Sequence, residues 1–453
     1  MIILLYTLLK GKSTDFLGRS KDMKYFEEKS KRIPVIASVD VLVAGGGPAG
    51  VGAALMAARE GVNVMLLEME GCLGGVATAG MMSHWTGSSS SRILDEIYDR
   101  CEEIERELDF DMAQKGCSRN TVYHEVQKIA LDRMMQEAGV RVLFYTKAVD
   151  AHVVDGRIVG ITVENKTGRG YIEAKRVIDA TGDGDVAAYA GVPYIKGRET
   201  DGRMQPATLM FKIGGVAPDA VTPGSFETLV PTAKGELQAL AKELLPHPAG
   251  HVLLYRNTTP GTVVCNMTNA IEVDGTDAES VSRALMTCRS QIPPIIRFLR
   301  EYVPGYENCW LMGSASLLGI RETRHFEGLQ TLTKEDILEA RLYDDWVVRR
   351  AHFNFDVHNL TGASLDKTGV QHKFTQKGEY SIPYGCLLPR NVEGLLLSGR
   401  NISGSHMAHS NFRVMPVCIA IGEAAGLAAA LSLKEGVALA DLDVSRIQAK
   451  AGI

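Results

Sequence analysis

"VLVAGGGPAGVGAALMAARE", Val41 to Glu60, is the stretch whose reading decides the fold. An apolar run of strand character passes through five glycines into a helix of small residues. Gly45, Gly47 and Gly50 stand in G-x-G-x-x-G spacing directly after a strand and at the start of a helix, the context this motif requires. Gly45 is expected to make the tight turn, Gly47 to let the backbone approach a pyrophosphate, and Gly50 to let helix and sheet pack closely. Pro48 and Ala49 open the helix, whose free N–H groups and partial positive charge face the phosphates. Eighteen residues beyond Gly50, at the end of the apolar strand "NVMLLE", Glu68 is placed to accept the hydroxyls of an adenosine ribose. The motif by itself does not separate a nicotinamide from a flavin dinucleotide.

Composition narrows the class. With 453 residues, 45% hydrophobic and 6% aromatic, the chain is long enough for two cores and too polar for a membrane protein. A formal net charge of -5, with no Lys/Arg run interleaved with aromatics, argues against nucleic acid and for a small substrate. Eight cysteines stand singly, with no C-x-x-C, as expected of reduced thiols in a cytoplasmic protein; neither a disulfide framework nor a metal site is expected. The opening "MIILLYTLL" is shorter than a membrane span and lacks a basic leader, so it reads as an extension, with a cleaved signal as the alternative.

Along the chain, residues 1–36 read as a charged N-terminal extension and 37–192 as the first part of a dinucleotide-binding domain. That part holds the strand "VDVLVAG", a helix at "YHEVQKIALDRMMQEAG", the strand "VRVLFYT", a meander through "AVDAHVVDG", "RIVGITVENKTG" and "RGYIEA", and a separate β-run "KRVIDATGDGD". "SSSS", Ser88 to Ser91, reads as a flexible loop. Residues 193–388 read as an inserted domain with a helix starting at "TLTKEDILEARL", where Thr333 and Asp336 form a capping-box pair. The dinucleotide fold resumes over 389–435 with "EGLLLSGRNIS" and the helix "MPVCIAIGEAAGLAAALSL", and 436–453 form a tail.

Three later features carry a resemblance. They are "LEMEGCLGG" with the pair Gly74 and Gly75, the turn Ala180, Thr181 and Gly182 in "VIDATGDGD", and the pair "LLLSGRNIS" and "VMPVCIAIGEAAG". With them the sequence resembles the FAD-dependent oxidoreductases of the glutathione-reductase-like two-domain superfamily, and within it the group related to the flavin subunit of heterodisulfide reductase. The resemblance implies an α/β fold: a Rossmann-like FAD-binding domain of ββα type, its parallel sheet extended by a β-meander, with an inserted α+β substrate or cap domain. It places Gly74 and Gly75 on the pyrophosphate and flavin side and Ala180, Thr181 and Gly182 over the adenosine half. It counts Ala148, Gly399 and Arg400 among the cofactor residues. Arg400 stands where many relatives carry a ribitol-binding aspartate. A helix starting at Met415 and Pro416 would aim its N–H groups at the flavin edge that becomes negative on reduction. Its small residues Gly422, Ala424, Ala425 and Gly426 would let it lie close to the sheet.

No second G-x-G-x-x-G and no C-x-x-x-x-C is present, so a separate NADPH domain and a redox disulfide are not expected. Covalently attached FAD is not expected either, and Cys72 reads as a structural thiol. On the substrate side, Arg400, His406, His409 and Arg413 cluster in the loop "SGRNISGSHMAHSNFR", as candidates for binding an anionic substrate or moving its proton. Arg321, Arg324 and His325 in "GIRETRHFEG" read either as a carboxylate clamp or as an interdomain salt-bridge network. His84 and Trp85 are candidates to stand over the flavin, or are core. The expected chemistry is hydride transfer between non-covalent FAD and a small organic substrate. A second reading is an electron-transfer subunit beside an iron–sulfur partner protein, although no cysteine spacing here could hold such a cluster. A third is a non-redox FAD-binding protein. Neither nucleic acid nor membrane is an expected partner, and a homo-oligomer is left open.

Overall fold

The computed structural model describes residues 26–108, 119–364 and 376–451. The apolar opening run and Cys117 lie outside them. The chain divides into two compact units, 1–34 and 35–453, and residues 26–34 of the first carry no regular structure.

The second unit opens with β1 (Val35–Ala44), α1 (Pro48–Arg59) and β2 (Val64–Leu67). There follow α2 (Arg92–Glu107), α3 (His124–Glu137) and β3 (Arg141–Leu143). The meander is β4 (Lys147–Val154), β5 (Arg157–Asn165) and β6 (Gly168–Asp179). The two runs read separately as "RGYIEA" and "KRVIDA" are one strand, β6. Its first half pairs antiparallel with β5, and its second half lies parallel to a later strand. Then come α4 (Asp185–Tyr189), β7 (Tyr194–Lys196), β8 (Phe211–Gly214), the short hairpin β9 (Pro231–Thr232) and β10 (Gly235–Glu236), and α5 (Leu237–Leu244). They are followed by β11 (Leu254–Arg256), β12 (Val263–Cys265), α6 (Ala278–Tyr302), β13 (Trp310–Ser314) and β14 (Arg324–Phe326). The chain closes with α7 (Lys334–Leu338), β15 (Trp346–Ala351), β16 (Tyr380–Pro383), β17 (Leu395–Leu397), α8 (His406–Phe412), α9 (Met415–Glu435) and α10 (Val444–Gln448).

The main sheet runs β3-β2-β1-β6-β5-β4, with β17 also parallel to β6. Val41 to Val43 and Val64 to Leu67 are buried on both faces, as parallel strands covered by helices must be, which is why they read as unbroken apolar runs. Register places Ala44 opposite Leu67 and Asp179, and Asp179 opposite Leu397. Four parallel strands therefore end level with one another. The chain order reverses between β1 and β6, and a ligand crevice belongs at the carboxyl ends of the strands at such a switch point.

α9 is long and apolar enough to cross a membrane by length and composition, yet 94% of its apolar window is buried within the fold. Its glycine face meets α1 and not, as expected, the sheet. A Cβ on Gly422 would stand 2.0 Å from the Ala49 carbonyl oxygen, and one on Gly426 would stand 2.2 Å from that of Ala53.

The inserted region builds an antiparallel sheet, β11-β12-β8-β13, backed by α6. Its separate cores draw on residues 207–318, with Met81 and Met82 of the dinucleotide domain packed against one of them. Phe326, Leu332, Val348, Tyr380 and Leu388, which lie inside the expected insertion 193–388, belong instead to the main core. The expected tail is also docked, since Ile447 of α10 is fully buried in the main core. The capping box of Thr333 and Asp336 forms as expected. "SSSS" is ordered by partners: Ser88 and Ser90 N–H donate to the His352 and Arg349 carbonyls, and Ser91 caps α2.

Candidate active site

The level strand ends open a cleft of about 900 Å³. At one end stands the glycine turn. Gly45 has φ +98°, and a Cβ there would lie 2.3 Å from the Ala180 carbonyl oxygen, so only glycine fits. No atom lies within 4 Å of a Cβ built on Gly47, whose backbone faces open cleft together with Pro48 and Ala49. Gly50 and Gly74 support the cradle from behind: Gly50 backs onto the Gly45 carbonyl, and Gly74 N–H donates to the Gly46 carbonyl at 2.8 Å. Gly75 lines the cleft against Gly47. Glu68 is buried at the cleft wall, its carboxylate accepting from Gly46 N–H and Glu70 N–H, both at 2.7 Å. Burial raises its pKa. Ala148 lines the same end beside Lys147.

The β6 turn closes the next side. Ala180, Thr181 and Gly182 line the cleft, and the turn is held by Asp179, which accepts from Thr181 N–H and Oγ1 and from Ala187 N–H. Asn401 fastens the neighbouring β17 turn, donating to the Asp179 carbonyl and accepting from Ser398 N–H. Sequence reading missed both fasteners, although an Asp at a strand end before Ala-Thr-Gly and an Asn directly after Ser-Gly-Arg are the residue types that hold turns.

Gly399, Arg400 and Met415 line the middle of the cleft. Arg400 pairs with Asp183 at 3.0 Å, while its Nη1 is buried without a partner in the protein. α9 starts here with no side-chain cap, so its first N–H groups carry the helix's positive end toward the cleft. Pro416 lies behind this start, its carbonyl accepting from Ser89 Oγ.

The far wall is built by Tyr255 and Asn266 of the cap together with Arg321, Asp356, His358 and Arg413. Arg413 donates to the Asp356 carboxylate at 2.9 Å and to its carbonyl. His358 lies 3.3 Å from the same carboxylate, and burial holds its imidazole down to about 4, hence neutral. Tyr255 stacks on His84 at 5.1 Å, and burial pushes its hydroxyl up to about 12, keeping the proton on. Trp85 packs in the core against Tyr98 and does not face the cleft.

His406 and His409 were expected on a loop facing substrate. They sit on α8, buried and off the cleft wall, around Glu322. Glu322 accepts from Gln205 N–H, from His325 Nε2 at 2.8 Å and from His406 Nδ1. Burial would raise its pKa, but the bonds from His325 and His406 outweigh that and hold it well below the carboxylate range. Among the described residues, Glu322, His325 and His409 bring ligand-type atoms within 4.8 Å of one another. Glu322 lies within the quoted "GIRETRHFEG" and was overlooked between the basic residues singled out there.

The basic residues of that segment divide between two surroundings. Arg324 bridges to Asp185 and the Asp183 carbonyl, a link between the cap connection and the β6 turn, whereas Arg321 turns to the cleft. Cys72 is off the cleft, half-buried beside Thr78, with its thiol pushed up by burial. The seven described cysteines are all free.

The chain is similar to known proteins over different extents. Among curated proteins, the chain is 30% identical over 157 residues to the thiamine thiazole synthase of Aeropyrum pernix, covering 32% of this chain and 54% of that protein. It is 32% identical over 158 residues to the digeranylgeranylglycerophospholipid reductase 1 of Methanopyrus kandleri, covering 32% and 39%. The chain thus spans about half or less of the length of these relatives. Among solved structures, a geranylgeranyl bacteriochlorophyll reductase-like protein of Thermoplasma acidophilum is 13% identical, covers 91% of this chain and 82% of its own, and has a TM-score of 0.45. The p-nitrophenol 4-monooxygenase of Pseudomonas putida DLL-E4 is 12% identical, covers 92% and 84%, and has a TM-score of 0.44. The FAD dependent oxidoreductase family matches residues 40–450, and the chain belongs to that family.

Proposed function

We propose that this enzyme binds FAD non-covalently and transfers a hydride between the flavin and a small organic substrate held under the cap. The observation that carries the reading is one continuous cleft, from the Gly47 cradle past the start of α9 to the cap wall of Tyr255 and Arg321. The residues suit the cofactor: the volume is that of a cofactor cleft, Gly47 leaves room for a pyrophosphate, and Arg400 Nη1 is a buried donor that lacks an acceptor.

When bound, FAD would supply the two-electron chemistry, and the chain supplies position and electrostatics. Gly47, Gly75 and the start of α1 would hold the pyrophosphate. Glu68 and Ala148 would meet the adenosine half with Ala180, Thr181 and Gly182. Gly399, Arg400, Met415 and the free N–H groups of α9 would hold the flavin end. Arg413 would orient the substrate, with His406 and His409 acting from behind through Glu322. The resemblance to the heterodisulfide reductase flavin group belongs to this proposal, as does a cytoplasmic setting, which the free cysteines support.

The absorbance spectrum of purified protein before and after anaerobic reduction tests the reading. A yellow protein that bleaches reversibly and releases FAD on acid denaturation is expected. A colourless protein that added FAD cannot reconstitute would overturn it, and a broad brown absorbance would move the assignment to a complex with an iron–sulfur partner.

A further inference from the structure

The cap-side wall of the cleft carries more positive charge than the protein itself neutralises. Arg321 is 9% exposed, and its guanidinium has one hydrogen bond in the fold, from Nη1 to the Pro206 carbonyl at 2.6 Å. The neighbouring Arg413 has its Nη2 on Asp356 but a buried Nε with no partner. Asp356 is one carboxylate shared between Arg413 and His358. Burial, then repulsion from Arg413, lowers the Arg321 pKa to about 10, so the Arg321 guanidinium remains charged at neutral pH. His358 is neutral, and Glu227 on the cleft rim is exposed. Two guanidiniums against one carboxylate leave a single net positive charge in a half-enclosed cleft. Such a charge is costly to bury unless an anion joins it.

We propose that Arg321 and Arg413 bind a carboxylate group of the substrate, so that the enzyme acts on organic acids entering under the cap. This rests on the reading of the cleft as a flavin enzyme's active site. One net charge matches a monoanionic carboxylate better than a phosphate dianion, and the guanidinium fork fits the planar carboxylate with two parallel hydrogen bonds. Tyr255 adds a protonated hydroxyl on the same wall, a further donor to the bound acid.

The test uses the purified protein with its flavin, titrated with benzoate and, as the neutral counterpart of equal shape, benzamide. Calorimetry and the shift of the flavin absorbance bands are the readouts. Benzoate is expected to bind and shift the bands while benzamide does neither. R321Q should weaken benzoate about tenfold or more with its flavin content unchanged. D356N should act in the opposite direction and tighten it, because the competing internal carboxylate is gone, an outcome that damaged folding cannot imitate. Benzoate heats and spectra no different from benzamide's, R321Q binding as tightly as the parent, or inorganic phosphate binding more tightly than benzoate would each overturn the proposal. A protein that binds benzoate but contains no flavin would sink the flavin reading and leave the anion site standing.

Discussion

Two buried glutamates show how the balance of partners against burial sets opposite pH behaviour. Glu322 is held below the ordinary carboxylate range by donors from His325 and His406, so its contribution to stability is present above about pH 4.5 and is lost as pH falls below it. E322Q should cost about 3 kcal/mol near pH 7, because the amide puts a donor against Gln205 N–H or the histidines, and the cost should shrink below pH 4.5; denaturant unfolding across pH measures it. Glu423 on α9 is the reverse case. It accepts from Ser91 Oγ and Ile93 N–H, and burial raises its pKa from 4.5 to about 7. The folded state therefore keeps the proton over that interval, and stability falls as pH rises from about 4.5 to 7. E423Q lacks the loss: it should unfold like the parent near pH 5 and be more stable by roughly 2–3 kcal/mol at pH 8. An E423Q advantage independent of pH would refute the assignment.

At the scale of elements, the α1–α9 contact joins packing to the site. Ala49 lines the cleft, and its carbonyl fills the space a side chain at position 422 would need. G422A must push the helices apart, since backbone cannot yield as a flexible side chain does. It should cost about 2 kcal/mol and lower the flavin content of the purified protein, measured by absorbance ratio and thermal unfolding. A fully loaded G422A protein would show that the helix spacing does not set the cradle. The glycine run around the start of α1 was legible because its spacing is a local pattern between a strand and a helix, although the contacts that require Gly45 and Gly52 are made with Ala180 and with α9. The partner of Gly422 was not, because a small residue is equally suited to a sheet or a helix neighbour. The same limit hid Tyr255, Asp356 and His358, which reach the cleft from separate segments with no local pattern, while Glu68 and Arg400 could be read because each follows a strand end. His406 and His409 were legible as a cluster but not in direction, since α8 turns them toward Glu322.

At the scale of the whole molecule, the cap is not a freely hinged insertion. Met81 and Met82 pack into a cap core, Asp183 holds Thr323 and Arg324 where the chain leaves the cap, and residues from Phe326 onward return to the main core. Cap and dinucleotide domain should therefore unfold together, as domains do when apolar cores and polar contacts cross their boundary. The cleft between them makes flavin a ligand of the folded state only, so removing it should lower Tm by mass action. With flavin at about a thousand times its Kd, the linkage amounts to roughly 4 kcal/mol, and in a chain of this size the fall should be about 4 °C. Calorimetry of the loaded and stripped protein decides it. One transition that moves as a whole is the expected outcome, whereas a second transition that stays in place when flavin is removed would mean that the cap folds on its own core and that the Asp183 contacts do not couple it to the site.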